Sequence, residues 1–355
     1  MDLAGIAILA CRPAPAFGPA AMALRKPLQR PHVGAIVSPG ALTVCSALRP
    51  ATRTRFVHVI SEASVPSSIA PDERLGEFLQ RHRRLFVLTG AGCSTASGIP
   101  DYRDAAGGWK RRPPVTYQAF VGDAATRSRY WARSLVGWRR FGRARPNDAH
   151  AALARLETDD RVELLLTQNV DGLHQAAGSR NVIDLHGRLD QVRCLDCERR
   201  VAREEFQREL ERRNPDWAGL DAVDAPDGDA DLEALDFSTF AVPACAQCGG
   251  MQKPDVVFFG ENVPRDRVER AVRHLDAADA MLVVGSSLMV FSGYRFARAA
   301  ARAGKPVAAI NLGRTRADDL LALKVERDCA AALQAALACQ AVGDATNPAH
   351  LPACP

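Results

Sequence analysis

The chain has 355 residues, 47% of them apolar, which suffices for a sizeable core in one large domain or two unequal ones. Its net charge of +5 with 25% charged residues is too mild to argue for nucleic acid on its own. No apolar run approaches the roughly 18 residues that span a bilayer.

Residues 1–70 differ from the rest. Up to residue 61 the only acid is Asp2, against seven Lys or Arg. The stretch reads as a disordered extension or a presequence; Pro13, Pro15, Pro19, Pro27 and Pro31 would interrupt a targeting helix. From Pro71 the pattern becomes globular. A helix is expected from a cap at Asp72 through Arg83, with Leu75, Phe78 and Leu79 on one face. Leu85–Thr89 is an apolar run of strand length, and Gly90-Ala91-Gly92 follows at once. Strand, glycine turn and helix start form the geometry that binds a dinucleotide pyrophosphate. Thr95 breaks the standard G-x-G-x-x-G, so the glycines alone are a weak signal. Ser94, Thr95 and Ser97 are expected to open the next helix, and Asp101, Tyr102 and Arg103 place an acid, an aromatic and a base in the loop beyond. Gly107 to Pro114 reads as a basic loop, either a solvated turn or a lid.

Residues 126–145 read as a helix with Tyr130, Trp131, Leu135, Trp138 and Phe141 on a core face and arginines outside. His150, in a helix over Ala149–Leu156, reads as a capping or packing residue. Val162–Thr167 is a second buried strand. Gln168, Asn169 and Asp171 leave its carboxyl end, where α/β folds keep their sites; Asp171 could equally cap the helix after Gly172. Val182–Leu185 is a short strand that ends in His186-Gly187, a position suited to proton transfer.

Cys194-x-x-Cys197 and Cys245-x-x-Cys248 are two knuckles that can close one four-thiolate site. Four ligands leave no open position, so the expected Zn2+ is structural. The remaining cysteines of the ten are scattered, which suits a reducing compartment and not a disulfide framework. Glu204–Arg213 reads as helix, and the acidic stretch Asp221–Asp236 as a solvated loop. Pro254–Phe259, Ala280–Val284 and Pro306–Ile310 are further strands. The last two end in Gly285-Ser286-Ser287 and Asn311-Leu312-Gly313, small and polar groups that can touch a nucleotide. The run from Val325 to Leu337 closes the domain.

Taken together, GAGCSTASGIPDYR, TQNVDGLH, LHG, the cysteine pairs, KPDVVFFGE, VGSS and INLG resemble the sirtuin family of NAD-dependent protein deacylases, and most closely its class II branch. The likeness spans roughly residues 72–335. It implies an α/β fold: a Rossmann-like parallel sheet with helices on both faces, plus a small zinc-binding domain. Residues 71–190 and 253–340 would form the NAD domain, 191–252 the zinc module, and 341–355 a flexible tail. NAD would be the co-substrate. The resemblance puts its phosphates at Gly90–Gly92, its nicotinamide region at Asp101 and Asn169 with Asp171 beside them, and its adenosine half near Ser286, Asn311 and Cys329. Ser94, Ser97, Tyr102, Arg103, Gln168, Gly285, Ser287, Leu312 and Gly313 would complete the cofactor site. Val257, Phe258, Phe259 and Gly260 would pair with substrate backbone by strand addition.

The resemblance also implies a mechanism. Nicotinamide leaves the ribose, the acyl oxygen of the modified lysine attacks, and His186 accepts a proton through the ribose hydroxyls. Free lysine and O-acyl-ADP-ribose result. Tyr102 stands where many members carry Phe, and the loop after Arg103 has no Tyr-x-x-Arg pair of the kind that would select succinyl or malonyl groups. Mono-ADP-ribosyl transfer or lipoamidase activity are alternatives within the family, and a non-catalytic zinc and nucleotide module is one outside it. The expected partners are acyl-lysine proteins or peptides, with no membrane and no nucleic acid. A cytoplasmic monomer of bacterial type is expected, with the mitochondrial matrix as the other location.

Overall fold

The computed structural model describes residues 70–345 apart from 111–113, 221–223, 226–228, 231, 233 and 234. The expectations for residues 1–69 and for residues 111–113 of the proposed lid lie outside the described residues; of the tail expected from residue 341, residues 341–345 continue the last helix and the rest lies outside them. In chain order the strands are β1 (Leu85–Thr89), β2 (Val162–Thr167), β3 (Val182–Asp184), β4 (Gly187–Cys194), β5 (Arg200–Ala202), β6 (Asp224–Ala225), β7 (Asp229–Ala230), β8 (Gln252–Val256), β9 (Ala280–Val284), β10 (Val307–Ile310) and β11 (Leu323–Val325). The helices are α1 (Pro71–Arg81), α2 (Tyr117–Gly122), α3 (Ala124–Phe141), α4 (Asp148–Thr158), α5 (Leu173–Ala176), α6 (Arg203–Arg213), α7 (Pro215–Ala218), α8 (Arg265–Ala277), α9 (Phe291–Arg302) and α10 (Cys329–Ala345).

Six strands form one parallel sheet in the order β11-β10-β9-β1-β2-β3. The period of two along each strand explains its two cores. Leu85 and Val87 join Leu165, Leu282, Val284 and Ile310 under α1, α4 and α10. Phe86 and Leu88 join Leu164, Leu166, Met281 and Val283 under α8 and α9. Strands buried on both faces need near-continuous apolar runs, which is what LFVLT and AMLVV supply. After β1 the sheet is extended outward on one side by β2 and β3, and on the other by β9, β10 and β11. The crevice for a ligand therefore opens beyond the carboxyl ends of β1 and β9, where the winding reverses.

A third core lies outside the sheet. Trp131, Leu135 and Trp138 of α3 pack with Phe206 and Leu210 of α6 and with Leu189 and Val192 of β4. Burying such side chains stabilises by about 1.5–3 kcal/mol each. Beside it β4 pairs antiparallel with β5 and β8.

Three sequence expectations change. The segment read as a strand over Pro254–Phe259 is a strand over Gln252–Val256, and it belongs to the antiparallel sheet. No helix follows the glycine turn: two 3-10 turns, Ala91–Cys93 and Thr95–Ser97, end at Gly98 with φ 83°. Pro100 then forbids continuation. The first helix is capped at Ala70, two residues earlier than expected: Glu73 accepts from the Ala70 N–H at 3.3 Å, and Asp72 instead forms an ion pair with Arg327. No described helix is long and apolar enough to cross a membrane.

Candidate active site

A cavity of about 980 Å3 opens at the predicted crevice. Its floor is the meeting of the β1 and β9 ends. The Gly92 N–H donates to Gly285 O at 2.9 Å. Gly90 has φ −137°, extended backbone that any residue adopts, so its role is closeness: a Cβ there would stand 2.7 Å from Ser286 Cβ. Gly285 has φ 61°, and a Cβ there would collide with the Cys93 backbone nitrogen, so it needs both the freedom and the missing side chain.

Next to this floor the end of β2 contributes a polar knot. Ser94 Oγ donates to Asp171 Oδ2 at 2.7 Å and accepts from Asn169 Nδ2 at 3.1 Å. Asn169 Nδ2 also donates to Gly90 O at 3.0 Å. Asp171 Oδ1 accepts the Leu173 N–H at 2.9 Å, so Asp171 both caps α5 and faces the cavity. Ser286 Oγ donates to Gln168 Oε1 at 2.7 Å and ties β9 to β2.

His186 follows β3. Its Nδ1 lies 2.9 Å from Gln168 O. A carbonyl oxygen only accepts, so Nδ1 carries the proton and Nε2 holds the lone pair. Nε2 in turn accepts from Ser292 Oγ at 2.8 Å. Burial pushes the ring down to about 4; the Gln168 carbonyl opposes that shift, while Arg267 and Arg295 add to it. The imidazole is therefore neutral at physiological pH, with its basic nitrogen on the cavity wall.

Val257, Phe258, Phe259 and Gly260 line the same cavity, and the Val257 N–H donates to His186 O at 2.7 Å. Tyr102, Trp109 and Phe259 meet edge-on with centroids 5.5 to 6.5 Å apart, and Arg103 lies 4.0 Å over Trp109. Asp101 pairs with Lys110 at 2.5 Å.

Of the expected site residues, Ser97, Gly313 and Cys329 do not line the cavity. Ser97 Oγ accepts from Asn147 Nδ2 at 2.9 Å. Gly313 abuts Ala105 O, and Cys329 opens α10 in the core, where burial pushes its thiol up to about 12. Ala91, Ser287, Asn311 and Leu312 line it.

Arg129, Tyr130, Arg133, Phe141, Asp229, Ser292 and Arg295 also line it, unforeseen. Tyr130 and Arg133 form a Tyr-x-x-Arg pair on α3. The missing Tyr-x-x-Arg in the loop after Arg103 therefore does not weigh against an acidic acyl preference, because such a pair reaches the cavity from α3. Asp229 belongs to the acidic stretch expected to be solvated. Instead it pairs with Arg133 at 2.8 Å, and burial pushes it up to about 6.

The four cysteines of the knuckles converge. Cys194 and Cys248 Sγ are 3.5 Å apart, Cys197 and Cys245 Sγ 3.7 Å. A tetrahedron with Zn–S bonds of about 2.3 Å requires sulfur separations of about 3.8 Å, so the set fits Zn2+. The N–H groups of Cys248 and Gln247 point at Cys245 and hold its thiol down to about 7. A second group, Cys93, His150 and His174, brings ligand atoms within 4.8 Å of one another. Its histidines serve the fold: His150 Nδ1 accepts the Asn147 N–H at 3.2 Å, and His174 Nε2 lies 2.8 Å from Thr89 Oγ1.

Comparison with known proteins agrees with this geometry. The family model described as the Sir2 family matches residues 90–292. An NAD-dependent protein deacetylase of Xanthomonas campestris pv. campestris (strain 8004) is 72% identical over 259 residues, covering 73% of this chain and 88% of the relative. NAD-dependent protein deacetylase 2 of Bradyrhizobium diazoefficiens is 68% identical over 262 residues, 74% of this chain and 96% of the relative. A solved structure of Sir2 with p53 peptide and NAD+ superposes with a TM-score of 0.61 at 30% identity, covering 77% of this chain and 99% of that one. Sir2Tm bound to a propionylated peptide gives 0.59 at 30% identity, with 78% and 99% covered.

Proposed function

This chain is a member of the Sir2 family, and from that membership we propose that it works as its relatives are named: it is an NAD-dependent protein deacetylase. The observation that carries the chemistry is the tautomer of His186. The Gln168 carbonyl fixes the proton on Nδ1 and leaves Nε2 as an acceptor on the cavity wall.

NAD, when bound, supplies a ribose carbon from which nicotinamide can leave. The cavity volume and the side-chain-free contact of Gly90, Gly92 and Gly285 fit such a ligand. Ala91 and Gly92 would face the phosphates. Asn169 and Asp171, locked by Ser94, would hold the nicotinamide end in one orientation. His186 Nε2 exchanges the Ser292 hydroxyl for a ribose hydroxyl and takes its proton. Once the acyl oxygen of the modified lysine had replaced nicotinamide at the ribose carbon, that hydroxyl oxygen would bond to the acyl carbon; the lysine amine would leave with a proton, water would be added in its place, and O-acyl-ADP-ribose would result. Tyr102, Trp109 and Phe259 would exclude water from the reacting sugar. The four cysteines would hold one structural Zn2+ and take no part in the reaction.

In domain terms, residues 71–190 and 253–340 would carry the nucleotide and 191–252 the zinc, with β8 crossing the second boundary. The protein would act as a cytoplasmic monomer on acyl-lysine peptides or proteins.

The test is incubation with an acetyl-lysine peptide with and without NAD, read by mass spectrometry. Deacetylated peptide and O-acetyl-ADP-ribose should appear together and only with NAD. Acetyl loss without NAD, or ADP-ribose fixed on protein with the peptide untouched, would overturn the assignment.

A further inference from the structure

Phe291 opens α9 on the cavity wall, and 45% of it is exposed. The guanidinium carbons of Arg295, Arg298 and Arg316 stand 5.3, 5.2 and 5.9 Å from its ring centroid. Arg295 and Arg298 reach it because positions four and seven along a helix share a face. Arg316 arrives from the loop after β10. Its Nη1 donates to Met289 O at 3.2 Å, and its head lies 4.4 Å over Tyr294. Among the described residues none of these three arginines is in an ion pair, and the Arg295 Nε has no partner although it is buried.

The acids of the cavity wall are all engaged elsewhere. Asp101 holds Lys110, and Asp104 accepts the N–H groups of Ala106 and Gly108. Asp171 holds Ser94, Asp229 holds Arg133, and Glu261 holds Lys253. The rim around Phe291 therefore carries uncancelled positive charge around an exposed apolar ring. Charge repulsion within such a trio is relieved when anions bind.

Building on the deacetylase reading, we propose that Phe291, Arg295, Arg298 and Arg316 form a docking surface for acidic residues flanking the acyl-lysine of a protein substrate. Carboxylates on a peptide can reach the guanidinium groups while staying partly hydrated, and the apolar atoms of the chain can cover Phe291. Phe291 and Arg295 line the cavity together with Val257–Gly260, the segment expected to pair with substrate backbone, and Arg298 and Arg316 stand beyond them around the Phe291 ring. On the deacetylase reading the cofactor phosphates would have their own partners at the glycine turn.

The experiment uses three acetyl-lysine peptides that differ only in flanking residues: Glu, Ser or Lys. Binding is read by fluorescence anisotropy and turnover as kcat/KM. Wild-type protein should favour the Glu peptide over the Lys peptide by about tenfold in both, the size of two or three exposed ion pairs, and the preference should shrink at high salt. The doubly substituted R298E/R316E should reverse the order while the Ser peptide is bound and turned over as before. Equal binding of Glu and Lys peptides overturns the docking surface, whatever the turnover. A rise in KM for NAD in R298E/R316E with no change in peptide preference also overturns it, by assigning the arginines to the nucleotide. Failure of all three peptides to lose acetyl groups would count against the deacetylase reading instead, and the binding arm would still decide the surface.

Discussion

Gly90→Ala tests how closely the two halves of the sheet must approach at the cavity floor. The backbone there is extended, so alanine adds no torsional strain. Its Cβ would stand 2.7 Å from Ser286 Cβ and 2.9 Å from both Gly285 O and Ser286 Oγ. Ordinary contact begins near 3.4 Å, so the ends of β1 and β9 must part by several tenths of an ångström. Overpacking of this kind costs about 1–3 kcal/mol, which in a unit of this size lowers the melting temperature by several degrees. The displacement also moves Asn169, whose amide is bonded to Gly90 O, away from the ligand position. The KM for NAD should therefore rise by about tenfold or more. Gly98→Ala is the control: it has φ 83° with open space around it, so it should cost stability through strain and leave NAD binding nearly intact. Melting curves and NAD titrations read both variants. A Gly90→Ala protein with wild-type melting and KM would refute the close-contact account.

Three further outcomes follow from the same geometry. Cys245→Ala should release the zinc and lower the melting temperature by many degrees, since one partner of a four-thiolate site is lost; metal analysis showing one bound zinc with unchanged melting would contradict this. Stability should fall as pH drops below 6.5. His174 is almost fully buried, and burial holds it down to about 3 from 6.5, so it stays neutral in the fold but takes a proton when unfolded. Its contribution of a few kcal/mol is intact above pH 6.5 and is lost as pH falls towards 3. Melting should already decline between pH 6.5 and 5, above the range of ordinary carboxylates; a flat profile there would refute it. Ser292→Ala removes only the group that His186 Nε2 holds, so Nδ1 keeps its proton. It should retain the tautomer and lose activity by less than His186→Ala does.

The strands were legible because burial on both faces leaves a plain mark: AMLVV is apolar throughout, LFVLT is apolar up to its closing Thr89, VELLLT carries an unbroken Leu164–Leu166, and all three form strands at the expected bounds. The cysteine pairs were legible because metal geometry fixes their spacing. What the sequence hid has physical causes. Helical periodicity shows that Tyr130 and Phe141 face inward, but not whether inward means core or cavity wall. Asp229 looked solvated because acids usually are; only the fold brings Arg133 to it. Ser292 and Arg295 lie more than a hundred residues from His186, and no local pattern links them. The glycine turn misled in the other direction. Its glycines imply a helix start by analogy with dinucleotide-binding turns, yet here they admit the Gly285–Ser286 turn and a pair of 3-10 turns follows.

The decisive measurement is NAD-dependent deacetylation by His186→Ala beside the wild type, with zinc content and melting followed in the same samples. An imidazole that serves as the base should take with it about a hundredfold or more of the rate, while the zinc stays bound and the protein stays folded. A His186→Ala protein that deacetylates at the wild-type rate would contradict the assignment of this ring to the chemistry.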